Sequence, residues 1–89
     1  MITEMHLIVS GGVQGVGFRA TTQFIAQELN LRGNVKNLPN GNVEIFAQGE
    51  PKDLEALLSR LKMRFHQFNI DLLNYHQPLK SFNDFQITF

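Results

Sequence analysis

The sequence predicts a two-layer α+β sandwich of the ferredoxin-like kind: a mostly antiparallel sheet with two helices on one face. Three observations lead there. The elements read strand, helix, strand, strand, helix, strand (βαββαβ), with a short terminal strand added. Each helical segment carries an apolar stripe that needs one buried face, and a sheet face is the economical cover. Between the second and third strands stands Pro39-Asn40-Gly41. Pro presets φ for a turn, and Asn and Gly tolerate positive φ, so these two strands read as a hairpin.

The first strand is predicted over residues 4–10. Met5, Leu7 and Val9 alternate with His6, Ile8 and Ser10, and both faces are apolar enough for a central position. Residues 11–17, GGVQGVG, form a glycine-rich loop. From Phe18 to about Asn30 the pattern is helical, with Phe18, Thr21, Thr22, Ile25 and Leu29 at three- and four-residue steps and Phe24 flanking. Asn30 is the expected stop.

The hairpin strands are predicted over 33–38 and 42–48. On the second, Val43, Ile45 and Ala47 point one way, and Asn42, Glu44 and Phe46 the other. Pro51 suits the first position of a second helix. The stripe Leu54, Leu57, Leu58, Leu61, Phe65 and Phe68 extends that helix over four turns and is core. Residues 70–76 and 84–89 read as the last two strands, broken by Pro78; Phe85, Ile87 and Phe89 alternate on the final one.

With 89 residues there is room for one domain, residues 1–89. Surface scaling predicts about 5,300 Å² exposed and about 64% of the extended chain's surface buried, enough for a modest core. The 8 Lys+Arg balance the 8 Asp+Glu, so no basic patch points to nucleic acid. Cysteine is absent, which removes disulfides, thiolate metal sites and cysteine nucleophiles and fits a reducing compartment. No apolar run approaches the ~18 residues of a membrane span. The expected location is cytoplasmic.

Two places carry chemistry. Gly11, Gly12, Gly15 and Gly17 lie between a strand and a helix. Backbone N–H groups of such a loop can converge on an anion, and the helix N-terminus adds free N–H groups and partial positive charge. Arg19 stands in the first turn, and its planar fork suits phosphate oxygens. The competing reading is a tight turn beside a solvated arginine. The loop matches neither GxxxxGK[ST] nor GxGxxG. Asn37 is the second place. If its strand lies beside the first one, it sits close to the loop, where an amide can orient a water without being a base. Asn34, Asn40 and Asn42 surround it, and composition alone does not single it out. His6, His66 and His76 lack metal-ligand spacing and read as ordinary histidines; no metal site is expected.

SGGVQGVGFR (residues 10–19), followed by NVKNLPNGNVEIFAQG (residues 34–49), resembles the acylphosphatase family, and the resemblance extends over essentially the whole chain. It implies the ferredoxin-like sandwich and metal-independent hydrolysis of the carboxyl-phosphate bond of small acyl phosphates. The family's phosphate-binding arginine falls on Arg19 and its water-orienting asparagine on Asn37. Its loop N–H groups fall on Gln14, Gly15, Val16, Gly17, Phe18 and Arg19. No cofactor, nucleic acid or membrane is implied, and a stand-alone monomer is expected. Two departures stand out. Gly12 replaces a larger, often basic residue, and residues 65–69 lack an expected Gly-Pro stretch.

The alternative class is a non-catalytic phosphate- or carbamoyl-phosphate-binding regulatory module, for which the same loop would serve. An RNA-binding module would need exposed aromatics on the central strands, where the third strand offers Phe46 alone.

Overall fold

The computed structural model describes residues 1–13 and 17–89. Its elements run β1 (Thr3–Ser10), α1 (Phe18–Glu28), β2 (Arg32–Asn37), β3 (Val43–Gly49), α2 (Pro51–Arg64), β4 (Asn69–His76) and β5 (Phe85–Thr88). Among the described residues the strands form one sheet in the order β4-β1-β3-β2-β5. All neighbours are antiparallel except β2 and β5, which run parallel. This is the predicted ferredoxin-like α+β sandwich.

Alternation decides which face is covered. Met5, Leu7 and Val9 on β1 face Ala47, Ile45 and Val43 on β3, and all six are fully buried. The helices close over them with Phe18, Ile25 and Ala26 from α1 and Leu54, Leu57 and Leu61 from α2. Total exposed area is 5219 Å², close to the scaling expectation. The opposite face is polar. Glu4 accepts a hydrogen bond from Gln48 Nε2 at 2.7 Å and lies 3.7 Å from His76 Nε2. The His6 ring stacks on Phe46 at 4.1 Å, with its Nε2 2.8 Å from Glu44.

Asn30 ends α1 as expected, with φ 58, and the helix proper stops at Glu28. The Leu31 N–H reaches the Ala26 carbonyl and the Asn30 N–H reaches Gln27, which satisfies two terminal carbonyls and sends Leu31 into the core. Phe24 is 60% exposed; Ala26, not singled out by the pattern, is buried in its place.

The second helix is shorter than predicted. It ends at Arg64, and Phe65 has extended backbone (φ −124, ψ 103). Phe65 and Phe68 nevertheless fold back onto Phe18, at ring distances of 4.8 and 5.5 Å. A shared core partner kept their spacing apolar without requiring helix. Lys62 and Arg64 complement the helix dipole in the last turn.

β2 does not lie beside β1, because β3 separates them. Gly33 helps make the β2–β3 contact: its φ is 148, and a Cβ there would fall on the Phe46 carbonyl. Among the described residues no helix is long and apolar enough to cross a membrane.

Candidate functional site

The sheet register brings the predicted residues to one end of the molecule. Asn37 pairs with Val43, and Val43 pairs with Val9, the residue before β1 ends at Ser10. Asn37 is therefore level with the start of the glycine-rich loop, two strands away, on the helix-covered face that Val43 and Val9 share. β5 runs parallel to β2 with Lys36 opposite Thr88, so Phe89 emerges at the same end. There the Arg19 guanidinium lies over the Phe89 ring, 5.2 Å from its centroid.

The loop leaves β1 through Gly11 and Gly12, both at positive φ, and Val13 turns back into the core. Gln14, Gly15 and Val16 lie outside the described residues. Gly17 caps α1 in the left-handed region at φ 78, and its carbonyl accepts the Thr21 N–H at 2.9 Å. Among the described residues no side chain caps this helix, and its first turn holds no acid. Its N-terminal N–H groups and dipole thus have no anionic side chain of their own to meet. Phe18 is buried under Phe65 and Phe68, which anchors the turn and leaves Arg19 to face outward.

A depression of about 160 Å³ opens here, lined by Val13, Gly17, Phe18, Arg19, Ala20 and Ile87. Asn37 brings a different property. Its Oδ1 is buried and has no hydrogen-bond partner among the described residues. A buried, unpaired amide oxygen costs about 1–3 kcal/mol, a cost that a bound water or ligand removes.

The neighbouring hairpin is built from its own polar groups. The Leu38 N–H donates to the Asn42 carbonyl at 2.7 Å, and the Asn42 N–H donates to Asn40 Oδ1 at 3.0 Å. Asp71 on β4 ties the region together, accepting from Ser10 Oγ at 3.1 Å and from Asn42 Nδ2 at 3.3 Å. Asn40 and Asn42 are thus turn residues, and Asn37 stands apart from them. Gly12 has no described residue within 4 Å of where a side chain would project.

Sequence reasoning missed Phe89 and Ile87 as site residues. They read as core alternation, and nothing local says that the last strand pairs with β2. Among the described residues no three His, Asp or Glu side chains gather as a metal site.

The family model for acylphosphatase matches residues 5–87. An acylphosphatase of Lactobacillus gasseri is 44% identical over 85 residues, covering 91% of this chain and 92% of that protein. One from Marinobacter nauticus is 59% identical over 56 residues, which span 63% of this chain and 61% of that protein. The crystal structure of acylphosphatase from Bacillus subtilis superposes with a TM-score of 0.86 at 32% identity, covering 98% of this chain and 99% of that one. With a family match over nearly its whole length and a relative aligned over nine-tenths of both chains, the chain belongs to the acylphosphatase family of enzymes.

Proposed function

We propose that this chain hydrolyses the carboxyl-phosphate bond of small acyl phosphates to carboxylate and inorganic phosphate, without a metal ion. In this reading the loop N–H groups from Gln14 to Arg19 and the Arg19 guanidinium hold the phosphate oxygens. Asn37 Oδ1 accepts a hydrogen bond from the attacking water. The observation that carries the reading is the buried Asn37 Oδ1, without a hydrogen-bond partner among the described residues, at the same end of the sheet as Arg19 and the start of α1.

The chemistry asks little more. The water oxygen bonds to phosphorus as the bond from phosphorus to the acyl oxygen breaks, and a carboxylate leaves with the electron pair. A carboxylate is a good leaving group, so no strong general acid is needed. The water proton passes to a phosphate oxygen, so no protein base is needed. What remains is charge stabilisation in a loose transition state, with the water held in line. Preorganised donors supply the first and the asparagine the second.

One buried core takes residues from both helices and from the sheet, which supports a single domain over residues 1–89, and the reading has it act as a monomer. A cysteine-free chain suits the reducing cytoplasm. Release of inorganic phosphate from acetyl phosphate in the presence of a chelator tests the reading. Turnover should persist and inorganic phosphate should compete. Tight phosphate binding with no release would make the chain a binding module instead.

A further inference from the structure

We propose that the groove between α1 and α2 seats the acyl chain of the substrate, so that the favoured substrates carry an apolar acyl group of several carbons. The inference rests on the hydrolysis proposed above and names the substrate class of that same site.

The groove measures about 610 Å³, within the range of small-ligand sites. Ala20, Thr21, Phe24 and Ile25 of α1 form one wall and Met63 with the stems of Arg60 and Arg64 the other. Phe24 is 60% exposed and Met63 73% exposed, two large apolar side chains left in water on facing helices. Ile25 is buried at the base. The arginine heads are engaged elsewhere: Arg60 Nη2 lies 2.6 Å from Glu28 Oε1, and the Arg64 guanidinium lies 4.9 Å from the Phe65 ring centroid. With the heads so engaged, the aliphatic stems are the parts free to line an apolar groove.

Position gives the groove its occupant. It opens at the first turns of α1, and Ala20 lines both it and the depression beside Arg19. With the phosphate held at the helix N-terminus, the acyl substituent on the bridging oxygen has to leave the cradle. The depression borders two hollows: this groove across the small Ala20 side chain, and a smaller one of about 430 Å³ across Val13, lined by Phe65, His66, Gln67 and Phe68. The groove is the one that leaves two large apolar side chains, Phe24 and Met63, mostly in water. A polar or single-carbon acyl group would gain nothing there. Each methylene laid along Phe24 and Met63 would gain from burial, up to about fourfold in affinity.

The test is phosphate release from acetyl, butyryl and hexanoyl phosphate. Binding in the groove is the same in ground and transition states, so KM should fall by about two- to fourfold per methylene while kcat stays level. Phe24→Gln and Met63→Gln, both at exposed helical positions, should each flatten the series and leave acetyl phosphate turnover unchanged. A KM independent of chain length, or a fall that both variants retain, overturns the inference and leaves the hydrolysis reading standing if acetyl phosphate is turned over. Absence of release from every member overturns the hydrolysis reading itself.

Discussion

The Arg19 guanidinium and the Phe89 ring are packed face to cation, 5.2 Å apart. They lie 70 positions apart in sequence and meet because β5 runs parallel to β2 and delivers Phe89 beside the first turn of α1. The ring holds the arginine without competing for its hydrogen-bond donors. An exposed cation–π contact is worth about 0.5–1 kcal/mol. Phe89→Ala should therefore lower kcat/KM by about two- to fivefold, measured with acetyl phosphate, and Phe89→Tyr should restore it.

Arg19 itself should matter far more. Arg19→Ala should keep the thermal midpoint of the wild type, because Arg19 makes no ion pair among the described residues and an exposed cation–π contact is weak. Turnover should drop by about two to three decades, the usual loss for one transition-state donor. Arg19→Lys should recover little, since a point charge does not reproduce the planar fork. Near-normal turnover in Arg19→Ala would remove the arginine from the mechanism.

Asn37 and Asn40 separate chemistry from architecture. Asn37→Ala should depress kcat and kcat/KM together while inorganic phosphate binds as before. Asn37→Asp should also be poor, because a negative charge would stand near the phosphate. Asn40→Ala loses the acceptor of the Asn42 N–H and should cost about 0.5–1.5 kcal/mol in chemical denaturation, with turnover intact. Equal damage to phosphate binding and turnover in Asn37→Ala would make Asn37 a phosphate ligand.

Tyr75 on β4 offers an optical check of its nearness to Glu55 on α2. Burial pushes its phenol above the ordinary 10.0, and the Glu55 carboxylate pushes it further. The neutral phenol is the form the fold prefers. Its contribution to stability is whole below about pH 10 and is lost as pH rises through the raised value. Tyr75 is the single tyrosine in a chain without tryptophan, so phenolate absorbance reports it alone. Glu55→Gln should move the midpoint down toward the ordinary value; an unmoved midpoint would show that the two groups do not interact.

The sequence by itself determined what neighbours along the chain decide. Alternation placed β1 and β3, Pro39-Asn40-Gly41 placed the hairpin, and Asn30 marked the end of α1. The motif at residues 10–19 carries the family likeness in local sequence alone. Tertiary structure decided the rest. Phe65 and Phe68 kept the spacing of a helix that had already ended, because Phe18 sets their burial from another element. Asn37 reaches the level of the loop through β3, and Phe89 reaches Arg19 through β5. Helical and strand periods are properties of residues a few positions apart. Which strand edges meet depends on backbone donors and acceptors that lie far apart in the chain and are matched only once the whole sheet forms.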